Sequence, residues 1–261
     1  MVAGAVRVEV DGGRAPADRV AVLVHHAERA PVARSFRELV ATFVAGGYRV
    51  VVVSSSPARG PLDWGGDLAE GVTVLRKPNV GYDFGSWSVG LAHDPSIARA
   101  RHVVLANDSL VGPFADVRHV LAAGEASTAD VWGVTETEQF RRHLQSYWLA
   151  FHGGVLTEQP LAWFYASVRH HEDKQRIIMR NELGLARLLQ LEGFSTDALF
   201  PARSVVDAAD NPTIAGWERL LDAGLPFVKR EISRRPELAP RGEAIADEVL
   251  RRYGTRIDEW L

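Results

Sequence analysis

The chain has 261 residues, of which 46% are hydrophobic and 24% charged, with a formal net charge of −3 and no cysteine. This is the composition of a soluble globular protein long enough for one large α/β domain. The acidic balance argues against a nucleic-acid partner, and the absence of thiols excludes disulfides, thiolate catalysis and cysteine-held zinc. The start of the chain carries no apolar signal core, and no run approaches the roughly 20 residues of a bilayer span, so a cytoplasmic protein is expected.

Val20-Ala21-Val22-Leu23-Val24 is a continuous apolar run, the pattern of a strand covered on both faces. Phe36, Leu39, Val40, Phe43 and Val44 recur at helical spacing and stop at Gly46-Gly47. Residues 49–53 read as a second buried strand and residues 72–75 as a third. Phe84, Trp87 and Leu91 mark a helix, and His102-Val103-Val104-Leu105 begins a strand that runs to residue 106. This β-α-β-loop-β-α-β order predicts a doubly wound, mostly parallel sheet with helices on its faces.

Farther on, strands are predicted over 131–135 and 146–151. Helices are predicted on Leu161, Phe164, Tyr165 and Val168, and on Leu185, Leu188 and Leu189 before Gly193. Another carries Trp217, Leu220 and Leu221 and is broken by Gly224-Leu225-Pro226, and a last one spans about 243–252. The expected organisation is a single domain over 20–235, between an N-terminal extension (1–19) and a C-terminal helical tail (236–261). Residues 20–125 make its nucleotide-binding half, and 126–235 its acceptor-side half.

The predicted strand at 102–106 runs into Asn107-Asp108-Ser109. In open α/β sheets ligands sit outside the carboxyl ends of strands, and an acid there can hold Mg²⁺ or Mn²⁺ against a diphosphate. Asn-Asp-Ser is equally ordinary turn chemistry.

Arg76-Lys77-Pro78-Asn79-Val80-Gly81-Tyr82-Asp83 follows the third strand. Pro78 ends the ladder, Gly81 permits a left-handed turn, and Asp83 suits a helix cap. The same loop, with Arg76 and Lys77, suits a phosphate or ribose. His25 and His26 end the first strand, where they could meet a base or simply lie at the surface.

After His143, alternation sorts Gln145 and Tyr147 from Ser146 and Trp148. Aromatic and polar side chains together suit a sugar cleft, and the same residues suit a core. Glu182 opens a helix, where the dipole favours a carboxylate. An ionised carboxylate able to reach an acceptor hydroxyl is a general base, and a first-turn Glu is its plain structural role. Glu172 and Asp173 are rival acids in a more polar stretch.

The order of these pieces resembles the rhamnan synthesis protein F family of glycosyltransferases. The residues that carry the resemblance run from Arg76 through Asp83-Phe84-Gly85-Ser86-Trp87, then Asn107-Asp108-Ser109-Leu110-Val111-Gly112-Pro113-Phe114. Trp132-Gly133-Val134-Thr135, His143-Leu144-Gln145-Ser146-Tyr147, Asn211-Pro212-Thr213 with Trp217, and Pro226-Phe227-Val228-Lys229 follow.

The resemblance, over about 20–235, implies a GT-A-like (Rossmann-like) α/β fold with a mixed, mostly parallel sheet. It also implies a divalent cation, Mg²⁺ or Mn²⁺, and a nucleotide-sugar donor such as dTDP-rhamnose. The acceptor implied is a glycan or lipid-linked glycan, with inversion at the anomeric carbon. On this resemblance Asp108 is the metal and catalytic acid, where such enzymes carry two acids, and Glu182 is the base, eleven residues before Gly193-Phe194. His25, Arg76, Asn79, Gly81, Asp83 and Asn107 line the donor pocket, and His143, Gln145, Tyr147 and Trp148 the acceptor side.

Peripheral contact with the inner face of the membrane follows from a lipid-linked acceptor, and a second transferase stands as an open candidate partner. Lys229, Arg230, Arg234 and Arg235 suit either that contact or a solvated face. The single acid at 107–109 keeps a rival open: a non-catalytic scaffold that binds a sugar nucleotide or glycan.

Overall fold

The computed structural model describes residues 5–169, 178–207 and 209–261. Strand β1 (Arg7–Val10) precedes β2 (Arg19–His25), α1 (Arg34–Ala45), β3 (Arg49–Ser54), β4 (Thr73–Arg76) and α2 (Tyr82–His93). Strands β5 (His102–Asn107) and β6 (Leu110–Val111) lead to α3 (Arg118–Ala126), then β7 (Val131–Thr137), β8 (His143–Leu144) and β9 (Trp148–His152). Helix α4 (Gln159–Ala166) comes next, and a π-helical turn (Ile178–Glu182) runs straight into α5 (Leu183–Leu191). The rest comprises β10 (Thr196–Phe200), α6 (Ala202–Val205), α7 (Pro212–Ala215), α8 (Trp217–Asp222), β11 (Val228–Lys229), α9 (Arg230–Arg234) and α10 (Ile245–Tyr253).

The main sheet has the order β1-β4-β3-β2-β5-β9-β7-β10, with β8 paired to β7. Strands β4, β3, β2 and β5 are parallel, as the buried valine-rich runs require. Strand β9 lies antiparallel between β5 and β7, and β10 runs parallel to β7. This is a mixed, mostly parallel sheet flanked by helices.

Both faces are covered, which is why the central strands show no polar alternation. On one side Phe36, Leu39 and Phe43 of α1 and Val120 of α3 pack on Ala21, Leu23, Val50 and Val104. On the other, Phe84 and Trp87 of α2, Leu161 and Tyr165 of α4, and Leu185 and Leu189 of α5 pack on Val22, Val53 and Leu105. Each such large side chain contributes about 1.5–3 kcal/mol on leaving water. Helix α2 lies close on the sheet because Gly90 faces it: a Cβ there would stand 2.7 Å from Val22 Cγ1.

Two strands escape the sequence reading for the same reason. Arg7–Val10, expected as part of an extension, pairs antiparallel with β4 at the sheet edge, with Val8 and Val10 largely in solvent. Thr196–Phe200 is the opposite edge and has no fully buried position. Edge strands carry little of the apolar signal that marks central ones. A third cluster joins β6 and β11 to the C-terminal helices: Val111, Trp217, Val228, Ile232, Val249 and Trp260 are buried together. The tail is tied back further where Ser35 Oγ donates to the Trp260 carbonyl at 2.6 Å. Among the described residues no helix is long and apolar enough to cross a membrane.

Candidate active site

Strand β2 is flanked by β3 on one side and β5 on the other, so the chain leaves the sheet in opposite directions at their carboxyl ends. A crevice forms outside such a switch point. The register places His25 and Asn107 at its lip. His25 is buried, with Nδ1 3.0 Å from Ser54 Oγ and its ring 4.8 Å from that of Phe36. Burial pulls its pKa down to about 4, against an opposing pull from Asp108, so it is neutral packing at the floor of the crevice. The exposed neighbour His26 supplies its backbone N–H to Asp108 Oδ2 at 2.9 Å.

At the end of β5 the side chain of Asn107 makes two contacts. Its Oδ1 accepts from the Ser109 N–H at 3.0 Å, closing an Asx turn, and its Nδ2 donates to Asp83 Oδ2 at 2.7 Å. The turn anticipated for Asn-Asp-Ser is therefore present, and it points Asp108 into the crevice. That half-exposed acid borders a shallow hollow also lined by Ser35, Phe36 and Tyr147. Arg230 Nε donates to the Asp108 carbonyl at 2.9 Å, and its N–H to the Ser109 carbonyl at 2.8 Å.

The loop after β4 separates its two cations. Arg76 is buried and held by both terminal nitrogens: NH1 meets Glu9 Oε2 at 2.6 Å, and the fork also donates to the carbonyls of Ser56, Ala58 and Gly60, while Nε has no hydrogen-bond partner among the described residues. Its expected contact with a donor is replaced by this internal role, because a guanidinium with those partners has no reason to leave them. Lys77 is also buried, yet its Nζ has no hydrogen-bond partner among the described residues. Burial lowers its pKa to about 8, while Asp83 pulls the other way. Asn79 is exposed, and Gly81 holds φ +81° at the start of α2.

Asp83 sits in the first turn of α2 without capping it. Its carboxyl is pushed up to about 7, first by desolvation and then by the charges of Asp108 and Glu182; the Asn107 hydrogen bond and Lys77 act oppositely. Asp83 is thus the hinge of a group of acids, near enough to feel the charges of Asp108 just after β5 and of Glu182 before α5.

Glu182 closes the π-helical turn, where Ser146 Oγ donates to its Oε1 at 2.5 Å. The two border a second, shallow hollow with Phe84, Leu144, Leu149 and Leu185. Asn181 beside it is buried, with Nδ2 unpartnered among the described residues. Glu172 and Asp173 lie outside the described residues.

The expected acceptor residues are built into the interior. Thr135 Oγ1 donates to Gln145 Oε1 at 2.7 Å and accepts from the Tyr147 hydroxyl at 2.9 Å. Gln145 Nε2 donates to Asn211 Oδ1 at 3.0 Å, and Asn211 in turn caps α7. Trp148 packs on Phe43, with ring centroids 5.0 Å apart. His143 is held by the Arg141 carbonyl at 2.8 Å. Strand β9 and its approach have helices over both faces, so neither set of alternating side chains forms an open platform. The sugar-cleft role is replaced by packing for Trp148 and by a buried hydrogen-bond network for Gln145 and Tyr147, with Tyr147 and Trp148 both bordering the crevice by an edge.

Sequence reasoning overlooked Ser146 as the partner of Glu182, and Arg230 as the partner of Asp108. Arg230 stands 122 residues from Asp108 in sequence, and no local pattern links them. Among the described residues no three His, Asp or Glu side chains are grouped to hold a metal ion. The oxygen donors of Asp108 and Asp83 nevertheless fit a hard cation, because the charge of Asp108 already raises the cost of ionising Asp83.

The model of the rhamnan synthesis protein F family matches residues 67–257. Virulence protein VirA of Vibrio anguillarum is 27% identical over 217 residues, covering 69% of this chain and 70% of that protein. The uncharacterized protein y4gN of Sinorhizobium fredii is 25% identical over 155 residues, covering 57% of this chain and 40% of its own.

Proposed function

Because the chain belongs to the rhamnan synthesis protein F family, we propose that it is a GT-A-type glycosyltransferase. It transfers a sugar, with rhamnose from dTDP-rhamnose the first candidate, to a hydroxyl of a growing glycan. The observation that carries this reading is a group of three acids linked through Asp83 at the start of α2, which feels the charges of Asp108 after β5 and of Glu182 before α5. A switch-point crevice is where α/β sheets bind nucleotides. The parallel order β4-β3-β2-β5, extended through the antiparallel β9, supports the fold assignment.

In this reading the donor's diphosphate lies over Asp108. Asp108 and Asp83 are the residues that would hold a divalent cation, whose charge, when bound, offsets the charge of the leaving diphosphate. Glu182, oriented by Ser146, accepts the acceptor hydroxyl proton. The acceptor oxygen forms its bond to the anomeric carbon as the sugar–phosphate bond breaks, and the electron pair leaves on the diphosphate. A single in-line displacement inverts the anomeric configuration. A lipid-linked acceptor would bring the protein to the inner membrane face beside a partner transferase.

A thermal-unfolding screen against sugar nucleotides with Mn²⁺ tests the reading. A ligand at a hundredfold excess over its Kd stabilises the fold by about 2.7 kcal/mol. A shift with one nucleotide class is the expected result, and no shift with any sugar nucleotide contradicts it. The single acid of Asn107-Asp108-Ser109 favours the rival, a scaffold that binds donor without turning it over. Binding with no release of nucleoside diphosphate would favour the scaffold.

A further inference from the structure

Helix α9 carries Arg230 and Arg234, with Arg235 just past its end, and the surroundings of these three differ. Arg235 is paired with Glu231 of the helix. The side chain of Arg234 is exposed and makes no hydrogen bond or ion pair with the described residues. Arg230 is half-buried and held at both its backbone N–H and its Nε by the carbonyls of Ser109 and Asp108, while the two terminal nitrogens of its fork have no partner among the described residues.

The anchoring is specific. Carbonyls that belong to the acid-bearing turn fix where the guanidinium stands, and β11 pairs with β6 immediately beyond that turn. Arg230 also lies close enough to His25 to disfavour a proton on its ring, which places it at the same crevice. Arg234 follows it by four residues, so the two like charges share one helix face, an arrangement that is unfavourable by itself. Burial and Arg234 both disfavour the charge on Arg230, and Asp108 favours it without closing an ion pair. An anion with several oxygens, seated between the two guanidinium groups, would satisfy all of these groups together.

We propose that Arg230, seconded by Arg234, grips the diphosphate of the nucleotide donor. The inference rests on the transferase reading and deepens it. A planar guanidinium fork matches two phosphate oxygens at once, which an ammonium does not. As the sugar–phosphate bond breaks, negative charge grows on the leaving diphosphate, and a positioned cation in a partly dry crevice stabilises it. Where the turn offers one acid rather than two, Arg230 brings positive charge to the diphosphate directly.

The test is calorimetric titration with dTDP and with inorganic diphosphate in EDTA, so that the readout reports the arginines rather than a cation. The expected result is that the wild-type protein binds both, and that Arg230→Ala weakens both by at least about tenfold. Arg234→Glu, whose parent side chain supports nothing in the fold, weakens both by at least about fivefold. Arg235→Ala, which removes the same charge from the neighbouring position, stays within about twofold. Equal losses in all three variants, or wild-type affinity in Arg230→Ala and Arg234→Glu, overturn the assignment while leaving the transferase reading standing. If the wild-type protein binds no nucleoside diphosphate even with Mn²⁺, that reading falls and takes this inference with it.

Discussion

Asn107 Nδ2 donates to Asp83 Oδ2 at 2.7 Å, tying the end of β5 to the first turn of α2. The contact joins the crevice's two sides, and it is the interaction that most favours the ionised form of Asp83.

Asn107→Asp replaces that donor with a third carboxylate. Without a cation the variant loses about 1–3 kcal/mol of stability, because a hydrogen bond becomes a like-charge contact. Mg²⁺ restores part of the loss. Chemical denaturation in EDTA and in Mg²⁺ measures both values, and an equal loss in the two conditions would argue against a cation beside Asp83 and Asp108.

Arg76→Ala is expected to act on stability. The Arg76–Glu9 pair is nearly buried, with side-chain exposures of 5% and 10%. Removing one partner of such a pair costs about 3–5 kcal/mol. The denaturation midpoint falls accordingly. A normal midpoint with lost donor affinity would return Arg76 to the donor pocket.

His25 and His102 are both pulled down to about 4 from 6.5, chiefly by burial. The unfolded chain therefore binds more protons between those values, so stability is complete above about pH 6.5 and is lost as pH falls towards 4. Each ring contributes about 3 kcal/mol to that loss. His102→Phe should remove roughly half of the slope. A slope unchanged in this variant would show that the acid sensitivity lies elsewhere.

The strands and helices of the first half were legible because each central element is apolar on every covered face: 20–24, 49–53 and 102–106 announce themselves. The same uniformity hid the second half's function. Tyr147 and Trp148 resemble a sugar platform in sequence, and only the helices packed over β9 turn them inward. Asp108 was legible because it ends a strand. Its partners were not: the backbone N–H of His26 comes from β2 and Arg230 from α9, so tertiary folding alone brings them to the acid. Glu182 could be named from spacing, whereas the serine that orients it could not.

The most direct measurement is the rate of nucleoside diphosphate release from the donor identified by thermal screening, with acceptor present, in wild-type protein and Glu182→Gln. Loss of a general base lowers turnover by about 10²–10⁴, while the donor's Kd, set by the crevice around Asp108, stays within about threefold. A hundredfold or greater fall in rate with preserved binding is the predicted result. Wild-type turnover in Glu182→Gln, or a wild-type protein that binds donor and never releases the diphosphate, would contradict the account.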